Sequence, residues 1–119
     1  MITDPGLHAR ITEIPDVSEK ALSLFKNNLV WDDLMPWLPG VNVDGIDDIL
    51  PRFHEVGVNF ISLTLSAGAG LGSSINSTMR QIGTVRREIS QRSDWLVLAT
   101  SVAEIREAQA KNQLAVNFN

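Results

Sequence analysis

The sequence predicts an α/β fold with parallel strands, and two observations support this class. Segments with strand-like and helix-like hydrophobic periods alternate along the chain, so each helix can return the chain to a parallel strand by a right-handed crossover. The chain of 119 residues is also 44% hydrophobic, which is enough to bury a core. We expect three parallel strands, at 29–34, 58–65 and 114–118, with helices between them.

The chain begins with residues 1–15, which show no clear period, and we interpret them as a leader. A first helix follows. Asp16 and Glu19 form a capping-box variant, and Leu24 and Phe25 fall on its apolar face. The region from 16 to 119 is then expected to form one domain.

The first strand opens with Leu29 and Trp31 and runs into Asp32 and Asp33. A loop enforced by proline and glycine comes after it, at Pro36, Pro39 and Gly40.

The second helix is expected to start near Asp47 or Asp48, either of which can cap it. That start places Pro51 in the first turn, where a missing amide does little harm, and Gly57 ends the helix. The strand over 58–65 comes next. One of its faces is apolar throughout, and the other becomes polar toward the carboxyl end.

The second half of the chain contains two more helices. The first has apolar residues at spacings of three and four, namely Ile75, Met79, Ile82, Val85 and Ile89. A short apolar segment, 95–99, separates it from a helix that begins at the capping box of Ser101 and Glu104 and runs to about Lys111. The three tryptophans are expected to be core residues.

Composition excludes several function classes. A net charge of −4 has the wrong sign for binding a nucleic-acid backbone. Without cysteine the chain can have no disulfide framework and no thiolate metal site, and this favours the cytoplasm over secretion. No stretch is long and apolar enough to predict a signal peptide or a transmembrane segment. The unpaired edges of a three-stranded sheet predict that the chain forms a homo-oligomer or aggregates.

Five acidic residues lie in one segment without a basic residue among them, and such a cluster can mark a metal site: Asp32, Asp33, Asp44, Asp47 and Asp48. The last three are more simply turn and cap residues. Asp32 and Asp33 follow a parallel strand, at the sheet end where α/β folds place their sites. They are the candidate metal ligands, although a structural role explains them equally well.

The glycine-rich segment and the two histidines do not indicate a function. Gly68, Gly70 and Gly72 lie between a strand and a helix, but their spacing does not match the Gly-x-Gly-x-x-Gly turn of dinucleotide-binding folds, so a flexible loop is the better interpretation. His8 and His54 are not placed to act with Asp32 or Asp33, and we expect both at the surface or at an interface.

An ordered set of segments resembles the amino-terminal part of the renal (membrane) dipeptidase family. The resemblance covers about residues 17 to 119 and lies in Leu29 to Trp37, in Ile49 to Phe53 leading into the strand after Gly57, in Leu98 to Ser101, and in Lys111 to Val116. It implies a TIM-type (β/α)8 barrel of about 250 residues, of which this chain would supply the first three β/α units.

The resemblance also implies a function, namely zinc-dependent hydrolysis of small peptides at the carboxyl ends of the strands. Asp33 matches a metal-binding aspartate of the family, and Asp32 is the alternative match. Trp31 or Leu34 then stands where the family has a metal-binding histidine. Carboxylate alone is a poor substitute for imidazole at zinc, so a noncatalytic barrel relative that binds a small molecule or a partner chain is the second hypothesis.

Overall fold

The structure is a computed structural model that describes residues 17–36, 45–65 and 74–119. Several of the predictions above lie outside these residues: the leader 1–15 with His8, the cap residue Asp16, Trp37, the loop residues Pro39 and Gly40, Asp44, and the glycine loop at 68–72. The elements in chain order are α1 (Glu19–Asn27), β1 (Trp31–Pro36), α2 (Gly45–Glu55), β2 (Phe60–Thr64), α3 (Ile75–Ser90), β3 (Leu96–Leu98), α4 (Val102–Ala110) and β4 (Leu114–Phe118).

The strands form one four-stranded sheet in the order β1-β2-β4-β3, and all three pairings are parallel. This confirms the parallel α/β class. The three predicted strands correspond to β1, β2 and β4. They lie side by side in the sheet in the order in which they occur along the chain, as in part of a TIM-type barrel. Residues 95–99, which the sequence predicts only as an apolar segment, contain a fourth strand, β3. It pairs with β4 on the side of β4 that faces away from β2.

The direction of the crossovers explains where the helices lie. The chain crosses the sheet in one direction from β1 to β2 and on to β3, and then steps back to β4. Right-handed crossovers that run in opposite directions place their helices on opposite faces of a sheet. Accordingly α2 and α3 pack on one face and α4 packs on the other.

The face that packs against α2 and α3 is made of large aliphatic side chains, and we call it the aliphatic face: Ile61, Leu63, Leu96, Leu114 and Val116. All five are fully buried. Burying an aliphatic side chain of this size stabilises a fold by about 1.5–3 kcal/mol. This face therefore contributes most of the core.

The opposite face, which we call the groove face, starts apolar and becomes polar along the strands. Phe60 and Ala115 pack beneath α4 near the amino ends of β2 and β4. Ser62 and Asn117 pair with each other and lie two residues further along the same strands. The change from apolar to polar that the sequence predicts for β2 is thus present on two neighbouring strands.

A β-bulge in β1 fixes which side chains of that strand reach the groove face. Asp32 pairs with Ile61 and Met35 pairs with Leu63, so β1 has one more residue than β2 over this interval. The extra residue lets Met35 join the aliphatic core while Asp33 stays on the groove face. The strand itself covers 31–36 rather than the predicted 29–34.

Several helix details differ from the sequence predictions. Helix α1 is capped by Ser18, whose hydroxyl accepts from the amide of Ala21 at 3.2 Å, rather than by Asp16, which lies outside the described residues. Pro51 lies inside α2 and not in its first turn, because the helix already begins at Gly45. Gly57, with φ of +92°, adopts the left-handed conformation that ends helices, as predicted.

Helix α3 follows its predicted period only in its second half. Val85 and Ile89 are buried, whereas Ile75 and Met79 are 84% and 61% exposed. The N-cap of the helix, Ser74, forms a reciprocal capping box with Ser77. Its first turns therefore depend on this cap rather than on burial.

Candidate functional site

A groove of about 270 Å³ lies on the groove face, between β1 and the start of α4. Trp31 and Phe60 form its apolar floor at the amino ends of β1 and β2. Their rings meet edge to face, with centroids 6.5 Å apart and an interplanar angle of 79°. Trp31 is 55% exposed, so the expectation that it is a core residue is wrong.

The polar side of the groove is formed by Asp33 and Asn117. The Asp33 side chain is exposed and forms no ion pair with any residue in the described ranges. The Oδ1 atom of Asn117 is buried and has no hydrogen-bond partner among the same residues. Because buried polar atoms are nearly always paired, this oxygen is the groove's most unusual feature.

The third wall of the groove is the start of α4, at Thr100 and Ser101. The Ser101 hydroxyl accepts from the amide of Glu104 at 3.3 Å. The Glu104 carboxylate accepts from the amide of Thr100 at 2.6 Å and from its hydroxyl at 2.9 Å. The backbone hydrogen bond from Thr100 lowers the pKa of Glu104, aided by the bond from the Thr100 hydroxyl. The positive end of this helix is thus already matched by a carboxylate of its own.

A hydrogen-bonded cluster borders the groove at the carboxyl ends of β2 and β4. The Asn119 side chain donates to the Ser62 hydroxyl at 2.6 Å and accepts from the Thr64 hydroxyl at 2.7 Å. Its amide nitrogen also lies 3.4 Å from the carbonyl oxygen of Asp33. These polar groups satisfy one another, in contrast to Asn117.

The candidate metal ligands lie in different environments. Asp33 lines the groove, whereas Asp32 accepts a hydrogen bond from the amide of Leu34 at 3.0 Å within its own strand. Asp48 pairs with Arg52 one turn away, and Asp47 pairs with Arg92 across to the end of α3. Asp47 and Asp48 therefore have structural roles, but as ion-pair partners inside the first turn of α2 and not as its caps, because the helix begins at Gly45.

The histidine within the described residues has a structural environment too. The Nε2 atom of His54 lies 2.8 Å from the carbonyl oxygen of Asn112. Its ring stacks on Trp95 with a centroid distance of 5.8 Å. Both rings belong to the side of the sheet that α2 covers, away from the groove. His54 therefore cannot act together with Asp33, either as a general base or as a second metal ligand.

The groove does not fit zinc with the residues that the structure describes. Its side-chain donors are oxygens of Asp33 and Asn117 and of the hydroxyls of Thr100 and Ser101. Zinc sites use three or four ligands dominated by histidine and cysteine. Over residues 17–36, 45–65 and 74–119 no group of three or more histidine, cysteine, aspartate or glutamate side chains could hold a metal ion.

Two groove residues were not identified from the sequence, Asn117 and Thr100. The signal for Asn117 is present in the alternation along β4, where Leu114 and Val116 lie on one face and Ala115 and Asn117 on the other. Thr100 has no comparable signal, because its place in the groove depends on the extra strand β3. None of the described helices is long and apolar enough to cross a membrane.

Comparison with known proteins finds a fold but no family. No family model matches the sequence, and no curated protein is significantly similar. A crystal structure of an amidohydrolase from Pseudomonas aeruginosa matches with a TM-score of 0.64 at 17% identity, over 82% of this chain and 27% of that one. The chain thus spans about a quarter of the length of that amidohydrolase. The likeness confirms an α/β fold consistent with part of a TIM-type barrel.

Proposed function

We propose that this chain forms part of a hydrolase of the amidohydrolase type, which cleaves amide bonds in small substrates such as dipeptides. The observation that carries the proposal is the structural likeness to an amidohydrolase over 82% of the chain. The position of the groove supports it, because the groove reaches toward the carboxyl ends of parallel strands, where barrel enzymes place their active sites. The resemblance to the renal dipeptidase family points to the same bond type.

In this proposal Asp33 is the metal ligand implied by the resemblance, with Asp32 as the alternative. The structure favours Asp33 between the two, because Asp33 lines the groove and the Asp32 carboxylate is used within β1. A zinc site would need further nitrogen ligands, and none of the described residues around Asp33 supplies one. We therefore expect the 119-residue chain to bind zinc weakly and to hydrolyse no dipeptide by itself.

The experiment is a calorimetric titration of the chain with zinc chloride, repeated with Asp33→Ala and Asp32→Ala, together with an assay for dipeptide hydrolysis. We expect a dissociation constant for zinc above about 100 μM. The heat of zinc binding should be lost in Asp33→Ala and kept in Asp32→Ala. Tight stoichiometric binding that Asp33→Ala abolishes would contradict the weak site and confirm the ligand. Hydrolysis that persists in both variants would show that neither aspartate takes part.

The second candidate function is noncatalytic binding of a small molecule. It is favoured by the absence, among the described residues, of any histidine near the groove and by the structural role of His54. The zinc titration alone does not distinguish the hydrolase from the noncatalytic binding protein. It must be combined with a binding experiment on a small molecule that the chain does not cleave.

A further inference from the structure

We propose that the groove binds a small organic cation, an ammonium group with an apolar substituent. This inference names a ligand class for the site of the proposed function and depends on that function only for its location. It needs no metal ion. Two features of the groove favour such a ligand, namely its charge and its apolar lining.

The charge of the groove favours a cation. Asp33 is the charged side chain of the lining, and no described residue neutralises it by an ion pair. A helix N-terminus often attracts anions, but the start of α4 already holds the carboxylate of Glu104 on the amide of Thr100. An anionic ligand would therefore meet the charge of Asp33 with no basic side chain in the lining to compensate it.

The floor of the groove selects an organic cation over a metal ion. The exposed ring of Trp31 and the edge-to-face ring of Phe60 stand beside Asp33, and aromatic faces attract ammonium groups. Val102 and Ile105 extend the apolar surface on the α4 side. A metal ion gains nothing from such a surface, whereas the hydrocarbon part of an amine is removed from water against it.

Asn117 adds a polar side chain to the lining of the groove. Its Oδ1 atom is covered and is not open to a ligand, so the donors of an ammonium group are matched by the exposed Asp33 carboxylate. The groove of about 270 Å³ is smaller than the range of about 300–1,000 Å³ typical of drug-sized ligands. We therefore expect a ligand with a single ring or a short chain.

The test is a titration of the 119-residue chain, in EDTA and at pH 7, with three probes of similar shape: benzylamine, benzyl alcohol and benzoate. Binding is followed by two-dimensional NMR through the indole signal of Trp31, assigned with Trp31→Phe. We expect benzylamine to bind about tenfold more tightly than benzyl alcohol, the effect of one hydrogen bond to a charged group, and benzoate to bind most weakly.

Variants separate the charge from the shape. Asp33→Asn should lower the affinity for benzylamine about tenfold and leave the affinity for benzyl alcohol unchanged. Asp94→Asn makes the same change of charge at an exposed residue outside the groove, and it should alter neither. If Asp33→Asn proves unfolded by NMR, Trp31→Leu provides the second measurement, with binding followed through the backbone amide signals of Thr100 and Ser101, which also line the groove. It should weaken benzylamine binding more than benzyl alcohol binding.

Equal affinities for the amine and the alcohol, tighter binding of benzoate, or benzylamine affinity that survives Asp33→Asn would each overturn the inference. The outcome is independent of hydrolysis, since none of the probes contains an amide bond. Amine binding by a chain whose zinc binding is unaffected by Asp33→Ala would leave the inference standing and count against the metal site of the proposed function. Zinc binding that Asp33→Ala abolishes, without amine binding, would do the reverse.

Discussion

The two faces of the sheet differ in their side chains: one face is uniformly apolar and buried, and the other contains polar groups of which one is not hydrogen-bonded within the described residues. On the aliphatic face Ile61, Leu114 and Val116 are fully buried against helices, and nothing polar interrupts them. On the groove face the same strands carry Ser62 and Asn117, and one buried oxygen has no partner within the described residues. The comparison indicates that the first face contributes most of the stability of the fold, whereas the second, where we propose binding, leaves a buried polar atom unpaired within the described residues. The predictions below test this division.

The largest effect is expected on the aliphatic face. Ile61→Ala removes a fully buried side chain between β1 and β4 and should lower the free energy of unfolding by about 3 kcal/mol. The neighbouring substitution Ser62→Ala, on the groove face, should cost about 1 kcal/mol, because it removes one hydrogen bond to Asn119. Urea denaturation followed by circular dichroism measures both. Similar costs for the two variants would contradict the division between the faces.

Two asparagines on the groove face should respond in opposite directions. Asn117→Leu replaces a side chain whose buried oxygen is unpaired, and it should raise the free energy of unfolding by about 1 kcal/mol. Asn119→Leu removes the hydrogen bonds to Ser62 and Thr64, and it should lower that free energy by about 1 kcal/mol. The same urea titrations measure the effects. Destabilisation by Asn117→Leu would contradict the premise that its buried oxygen costs the fold stability.

The sequence predicts the aliphatic face better than the groove face, for a physical reason. Hydrophobic period alone places Leu63 and Leu114, since a buried strand needs large apolar side chains wherever it is packed. The groove instead depends on the bulge near Asp33 and on the strand β3, which brings Thr100 next to β4. Both features arise from pairing between distant segments. Local periodicity contains no information about such pairing, and for that reason the sequence does not identify Thr100. The alternation along β4, in contrast, does place Asn117 on the groove face.

A smaller effect is expected for the ion pair that joins α2 to the end of α3. The Arg92 guanidinium hydrogen-bonds to Asp47, with Nε 2.7 Å from Oδ1, and this bond lowers the pKa of the Asp47 carboxyl. A lowered pKa means that the pair stabilises the folded chain above the unfolded pKa of about 3.9, and that the stabilisation is lost as the pH falls through the folded pKa.

Asp47→Asn should therefore lower the free energy of unfolding at pH 7 by about 0.5 kcal/mol, a small value because the Asp47 side chain is 67% exposed. The difference from the wild type should vanish as the pH is lowered from 5 to below 3. Urea titrations across this pH range measure it, and Asp94→Asn is the control. A difference that grows at low pH would mean that the sign of the Asp47 contribution is wrong.

The last prediction concerns the edge of the sheet next to the groove, where substitution should change association and leave stability almost untouched. Within the described residues β1 pairs only with β2, and its Leu34 is 66% exposed, so this edge strand presents an apolar side chain to other chains. A lysine on an edge strand repels a second copy. Leu34→Lys should therefore shift the chain toward monomer in sedimentation velocity, with a change in unfolding free energy within about 0.5 kcal/mol. Leu22→Lys, on the exposed side of α1, adds the same charge away from the edge and should leave association unchanged. Association that resists Leu34→Lys would place the contact elsewhere than on β1.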